Sequence, residues 1–307
     1  MPNTTTNNRI LVLSILFVLL WNSGFIGAEF ILPYTRPFTL MFIRYIALFT
    51  ILFIYLLIAG RLLWPGRRVV LVNMLVGILA HAGWLSCVLI ALDNEVPAGI
   101  VALVVALQPL TTGAFSAYVV GEKTSLKSWI GLIIAFAGVV ITVIHRMNFE
   151  INSINMAYIV PFGAVIAMTA AALIQRKIEL KNGYDKLPLD LTLFYQSLGA
   201  TLVLGLPALF LEKLIVQWNM DFILAMVWLI LGVSFGAYTL MWILLKKTDA
   251  IRMSGLFFLG PPVTMLMAWF AFGDTLKLMD VVGLLIVLVG VVVTYVDRCQ
   301  IRAVLKG

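Results

Sequence analysis

The amino-acid sequence predicts an all-α integral membrane protein with ten transmembrane helices arranged as an inverted five-plus-five repeat. Three observations carry this expectation. The chain of 307 residues is 63% apolar and 11% charged, with a mean hydropathy of +1.08, whereas soluble domains hold about 45–50% apolar and about 25% charged residues. Its apolar residues fall into ten runs long enough to cross a bilayer. Its second half, shifted by 152 residues, comes into register with the first.

A globule of this size cannot hide so much apolar surface from water, so lipid is the natural solvent. A helix needs roughly 20 apolar residues to cross the hydrocarbon core. The runs are 10–32, 38–59, 69–91, 96–119, 126–145, 155–175, 190–211, 222–245, 250–272 and 278–296. The segments between them are too short to fold alone, and no soluble domain is expected. The first run is too long and too lightly charged on its N-terminal side for a cleaved signal peptide. Trp21, Asn22 and Glu29 also interrupt it, so it is expected to stay as a helix. The two repeats are expected over 9–146 and 155–297, with 1–8 and 298–307 as cytoplasmic tails.

The net charge of +7 fits either phosphate binding or the lysines and arginines that membrane proteins keep on the cytoplasmic side. Position decides between them. Of the 21 lysines and arginines, Arg36, Arg146, Lys213 and Lys277 fall in one alternating set of loops and Arg44 lies inside a span. The other 16 occupy the alternate loops and both tails. This bias predicts cytoplasmic N- and C-termini in a multi-pass protein of the inner (plasma) membrane. Basic residues scattered over short loops do not make a nucleic-acid surface. Cys87 lies inside the third run and Cys299 beyond the tenth, and neither has ligand spacing with His81 or His145. No metal, disulfide or cofactor is expected.

The internal register rests on glycine and proline more than on apolar matches, which recur by chance. Gly121–Ile144 aligns without a gap on Gly273–Val296, with Gly121/Gly273, Gly131/Gly283, Gly138/Gly290 and Thr142/Thr294 identical. Glu122 falls on Asp274, and Pro109 on Pro261. Each half has five runs, an odd number, so the second enters the membrane upside down relative to the first. Inverted repeats are typical of secondary transporters, whose substrate site lies near the midplane. Channels with inverted repeats also exist.

With these residues in view, the chain resembles the EamA-type branch of the drug/metabolite transporter superfamily. The resemblance rests on Trp21-Asn22-Ser23-Gly24-Phe25-Ile26-Gly27, on Pro37 with Thr39, and on Arg44-Tyr45. It continues through Ala91-Leu92, Pro109, Gly121-Glu122, Gly131 and Gly138, and again through Pro261, Gly273-Asp274, Gly283 and Gly290. Asp274 stands where the motif usually has Glu. The resemblance implies a ten-helix bundle around a central cavity, with the fifth and tenth helices standing apart. It also implies transport, mostly outward, of amino acids, nucleobases, other metabolites or drugs. The cargo it leaves open.

Polar side chains inside a bilayer are costly and mark candidate sites. Glu29, near the end of the first span, and Arg44, about two turns into the second, lie at similar depth. They are expected to form an ion pair, to meet a substrate, or, for Glu29, to carry a coupling proton. Gly77, His81, Trp84 and Val88 share one α-helical face of the third span. There His81 is a candidate substrate or proton ligand, and Trp84 a stacking surface. Gln108 precedes Pro109, whose ring and missing N–H interrupt the helix. The counterpart is the break at Pro261 and Pro262, with Ser254 and Phe258 nearby. Gln196 takes the repeat position of Arg44, Tyr238 lies on the eighth span with Ser234 and Met241, and Trp21 and Asn22 sit mid-span. The candidate substrate-binding set is therefore Trp21, Asn22, Arg44, His81, Trp84, Gln108, Gln196, Tyr238 and Phe258. The candidate coupling or ion-pair set is Glu29, Arg44 and His81. Such a wall suits a small, partly apolar solute.

No catalytic arrangement appears. Gly121-Glu122-Lys123-Thr124 lacks the upstream glycine of a phosphate-binding loop. The expectation is a non-enzymatic secondary transporter that exports a small organic metabolite, an amino acid or related compound, by alternating access. A multidrug or cationic-aromatic efflux carrier of the same fold, and a solute channel, stay open. Expected partners are the solute, the lipid bilayer and, as a candidate coupling ion, protons, in a monomer or homodimer.

Overall fold

The computed structural model describes residues 4–94, 96, 98–146, 156–180, 187–273 and 277–295. Among them every extended element is helical, and one isolated β-bridge joins Thr35 to Val216. Eight of the described helices are long and apolar enough to cross a membrane: Arg9–Ile31, Pro37–Ile58, Arg67–Ala91, Leu126–Ile144, Ala157–Leu180, Leu189–Phe210, Met220–Lys247 and Ala250–Phe272. A shorter apolar helix covers Leu278–Thr294. The fourth apolar run forms two shorter helices, Ala98–Val105 and Gln108–Val119. Residues 1–3, the 147–155 connection, Asp274 and the C-terminal tail with Cys299 lie outside the described residues.

In chain order the α-helices are α1 (Thr4–Ile31), α2 (Pro37–Ile58), α3 (Arg67–Gly77), α4 (Trp84–Asp93), α5 (Ala98–Val105), α6 (Gln108–Val119) and α7 (Leu126–Arg146). They continue as α8 (Val160–Leu180), α9 (Leu189–Phe210), α10 (Met220–Trp228), α11 (Tyr238–Lys247), α12 (Ala250–Gly255), α13 (Gly260–Phe272) and α14 (Leu278–Tyr295). Between α3 and α4 the chain winds as a π-helix over Ile78–Gly83, and between α10 and α11 it does so over Leu229–Ala237. A shift of 152 residues carries the first π segment into the second. The 3₁₀ turn Leu256–Leu259 before α13 likewise faces, in that register, the interruption before α6.

The helix ends are satisfied by side chains from elsewhere in the chain, which ties the loops together. The Glu212 carboxylate accepts from the backbone N–H groups of Phe38 (3.1 Å) and Thr39 (2.6 Å) at the start of α2. Those donors have no partner within the helix, and a carboxylate there also meets the positive end of the helix dipole. Asn219 and Asp249 cap α10 and α12 through Phe222 N (2.8 Å) and Arg252 N (2.7 Å). Glu122 accepts from Arg176 through Nε (2.7 Å) and Nη2 (2.6 Å), and from Ala250 N (3.2 Å). Arg176 Nη1 donates to the C-terminal carbonyl of Leu245 at 2.6 Å. Gly121 reaches Glu122 through φ +77, a backbone state that glycine adopts without strain.

These contacts sort the loops by parity. The segments around 61–63, 122, 176–180, 187–195 and 245–250 meet one another through Glu122–Arg176, Arg61–Asp190 (2.9 Å) and Tyr195 to Leu63 O (2.7 Å). These are the lysine- and arginine-rich loops, and together they form the basic end of the bundle. Residues 34–39 meet 212–217 at the opposite end, where Phe30 also packs on Phe272 at 4.8 Å.

Two helix pairs pack through sites matched by the 152-residue register. A Cβ on Gly131 would meet Thr294 and, at 2.7 Å, Gly290 O; one on Gly283 would meet Thr142 and, at 2.8 Å, Gly138 O. The small-residue stripes of α7 and α14 therefore face each other inside this chain, where lipid-embedded helices gain by close backbone approach. In α2 and α9, Phe42 packs on Gly205 while Phe53 stacks on Phe194 at 6.2 Å. The outer surface, from Leu11 and Ile54 to Leu206 and Val289, is apolar and exposed, as lipid-facing helix surfaces are.

Candidate functional site

Arg44, Tyr45, His81, Gln196, Ser234 and Tyr238 come together where α2, α9, α11 and the two π segments meet. Arg44 is 6% exposed. Its Nε donates to the Ser234 hydroxyl, and its Cζ lies 5.5 Å from the centre of the Tyr45 ring. Ser234 is presented by the π segment Leu229–Ala237. Because a π turn carries one residue more than an α turn, it rotates the rest of the helix about its axis and leaves carbonyls outside the regular ladder. One such carbonyl, Ala80 O in the first π segment, accepts from the Tyr238 hydroxyl at 3.0 Å.

His81 lies below Arg44 and is fully ringed. Its Nδ1 is 3.1 Å from the Tyr45 hydroxyl and its Nε2 is 3.3 Å from Gln196 Oε1. Gln196 Oε1 also accepts the Trp242 indole N–H at 3.0 Å. An indole only donates, which fixes the orientation of the Gln196 amide. That oxygen can only accept, so His81 carries its proton on Nε2 and takes the Tyr45 hydroxyl proton on Nδ1. Gln196 Nε2 passes the line on to Gln175 Oε1 (3.4 Å), and Gln175 Nε2 to Glu179 Oε1 (3.4 Å). Glu179 pairs with Lys246 at 3.4 Å at the basic end. A file of polar contacts thus joins the centre of the bundle to its basic end.

Above Arg44 a narrow cleft of about 70 Å³ runs toward the opposite end. Trp21, Phe25, Trp84, Leu85, Leu89, Leu40, Val233 and Tyr238 line it, with Leu32 and Pro37 at the mouth. Trp21 forms the aromatic wall, its ring 5.0 Å from Tyr238, 5.1 Å from Phe257 and 5.8 Å from Trp84. Arg44 is the only charged side chain among the lining residues. Ligand pockets for drug-sized molecules measure about 300–1,000 Å³; this cleft is several times smaller.

Of the residues singled out in the sequence, Trp21, Arg44, Trp84 and Tyr238 line the cleft. His81 and Gln196 lie beneath it as a buried hydrogen-bonded floor. The other three candidate contacts point elsewhere. Asn22 donates to Val18 O (2.6 Å) and accepts from Thr264 (3.1 Å), beside the break at Gly260-Pro261-Pro262. Gln108 donates to Thr112 (3.0 Å) and Ser254 (3.3 Å), between α6 and α12 beside Pro109, and its carbonyl oxygen has no partner among the described residues. Phe258 is buried near Phe136, ring centres 6.4 Å apart. Glu29 is exposed near the end of α1, and Arg44 forms no ion pair with it among the described residues. Similar depth along the membrane normal does not put two side chains on facing helix surfaces.

Sequence reasoning gave no site role to Tyr45, nor to Phe25, Leu85 or Leu89. The spacing Trp21, Gly24, Phe25, Ala28 was legible as one face of α1. The α4 wall was not. The π turn separates Gly77 and His81, which face α9, from Trp84 and Leu85, which face α1.

The profile of the EamA-like transporter family matches residues 8–144 and 155–296. A segment of 122 residues, 40% of this chain, is 33% identical to the "uncharacterized inner membrane transporter YedA" of Escherichia coli K12. The same match is found to YedA of E. coli O6:H1 and of O157:H7. The matched segment spans 39% of those relatives' own length. A protein solved by crystallography superposes with a TM-score of 0.75 over 94% of this chain and 97% of its own, at 18% identity. At that identity the likeness is one of fold.

Proposed function

The chain belongs to the EamA-like transporter family, and on that premise we propose that it is a secondary carrier exporting a small, partly apolar organic solute by alternating access. The proposal includes ten spans as an inverted repeat, with halves at 9–146 and 155–297. It puts the chain in an inner membrane, where the relatives' name puts them, and the basic end and both termini on the cytoplasmic side, as the lysine and arginine bias favours. The solute class we favour is an amino acid or a related carboxylate-bearing compound, the site itself leaving the α-amino group without a counter-charge.

One observation carries the reading. The cleft above Arg44 is lined as far as Leu32 and Pro37 toward one end of the bundle, while the other end is held by Glu122–Arg176–Leu245 and Glu179–Lys246. An access path on one side and a latch on the other is what one state of an alternating-access carrier requires. A channel would want a continuous polar pore. The reciprocal packing of α7 on α14 and of α2 on α9 supports two halves related by a two-fold axis. Glu29 is the titratable group that we retain as a candidate proton carrier, since His81 is engaged on both nitrogens.

Counterflow in proteoliposomes tests the carrier. Saturable uptake of labelled solute, accelerated by unlabelled solute on the far side, is expected. Uptake without that acceleration would identify a channel.

A further inference from the structure

The guanidinium of Arg44 is incomplete as it stands. Its Nε is used by Ser234 and its face lies near the Tyr45 ring, but neither terminal nitrogen makes a hydrogen bond or ion pair among the described residues. The side chain is more than nine-tenths buried, yet it lines the cleft. A guanidinium does not lose its proton under any condition the protein meets. A fixed cation lining an apolar cleft therefore keeps two forked donors available there. No acidic side chain lines the cleft to neutralise it, and Glu29 is too exposed to serve.

The walls limit the body that the charged group can carry. Trp21, Phe25 and Trp84 offer flat apolar faces, and Leu40, Leu85, Leu89 and Val233 close the remainder. Apart from Arg44, the polar lining is confined to the tips of Trp21, Trp84, Tyr45 and Tyr238. A ligand ammonium has no carboxylate to meet here. A second anionic group would find no second cation.

We propose that this cleft is a receptor for a small monocarboxylate with an aromatic or apolar body. The carboxylate pairs with the terminal nitrogens of Arg44, and the body lies along the aromatic wall that Trp21 and Trp84 form together. The site requires no α-amino group and rejects cations. Ser234 and Tyr45 act as positioning residues, because they hold the guanidinium so that its fork points along the cleft. Bidentate guanidinium–carboxylate pairing is short and directional, and it is worth most where the surrounding dielectric is low. The proposal rests on the carrier reading above and names the solute class of the same site.

The test uses the purified full chain in detergent and a set of probes that share one ring: benzoate, phenylacetate, benzamide, benzylamine and phenylalanine. Ligand-induced melting shifts give affinities by mass action. Benzoate or phenylacetate is expected to shift the melting temperature saturably, phenylalanine no more than these, and benzamide and benzylamine not at all. Arg44→Gln should weaken carboxylate binding by about tenfold or more, and Ser234→Ala by a smaller factor in the same direction. Because the probe ranking is read on the unaltered protein, a misfolded variant does not shelter the proposal. Equal binding of benzamide or benzylamine, a requirement for the α-amino group, or no saturable shift with either acid overturns it. Counterflow separates the two readings: binding of the acids without counterflow would fail the carrier and leave the receptor. Counterflow of amines alone would do the reverse.

Discussion

The amide oxygen of Gln196 takes two hydrogen bonds at once, from His81 Nε2 at 3.3 Å and from Trp242 Nε1 at 3.0 Å. Both donors are buried, and neither has another acceptor among the described residues. Removing the oxygen strands both, and each stranded donor costs about 1–3 kcal/mol. Gln196→Leu should therefore destabilise the protein by roughly 2–6 kcal/mol. The melting temperature of the variant checks this, and one close to that of the unaltered protein would show that the floor is not held by that oxygen.

The α7–α14 contact leaves no room for a methyl group. On Gly131 a Cβ would lie 2.7 Å from Gly290 O, and on Gly138 it would lie 2.8 Å from Gly283 O. Backbone cannot yield as a side-chain tip does, so Gly131→Ala and Gly138→Ala should each cost about 1–3 kcal/mol. The double variant Gly131→Ala/Gly290→Ala, at one crossing, should depart from additivity. Since both stripes are consumed within the chain, size-exclusion chromatography with light scattering should find no change in oligomeric state.

The basic-end latch is read by exchange. Glu122 ties α6 to Arg176 on α8 and to the first N–H of α12. Glu122→Ala should speed amide hydrogen exchange at the C-terminal end of α6 and across 245–255, with α2 near Arg44 little changed. Exchange unchanged across 245–255 would remove the latch.

Asp249 gives a pH signature. Burial pushes its carboxyl up from the ordinary 3.8, against the opposing pull of the Arg252 backbone N–H and side chain. The folded protein thus binds this proton more tightly than the unfolded chain does. The group's penalty is full above the raised value and absent below 3.8, so its contribution to stability falls as pH rises through that window. Asparagine caps helices about as well as aspartate. Asp249→Asn should therefore raise the melting temperature at neutral pH, and the gain should vanish as the pH approaches 3.8. A loss of stability at neutral pH would contradict the sign.

Much of the architecture was legible because lipid makes sequence speak plainly. Apolar runs marked the helices, and Pro109 and Pro261 marked the breaks. The charge pattern sorted loops that, among the described residues, are joined within each set. Arg44 stood out as the lysine or arginine lying deepest inside a span. What stayed hidden was rotation about helix axes. Glu29 and Arg44 share a depth, but the partner of Arg44 is Ser234, brought round by a π turn that no composition announces. Asn22 and Gln108 advertised a need for hydrogen bonds, and a neighbouring helix meets such a need as well as a ligand does.

The matched π turns bear on history. A π turn is an α-helix holding one residue too many. The segment Ile78–Gly83 falls, 152 residues on, within Leu229–Ala237. The repeat proposed above would give both turns one origin: a shorter chain that carried the extra residue and was then doubled would set them at corresponding positions.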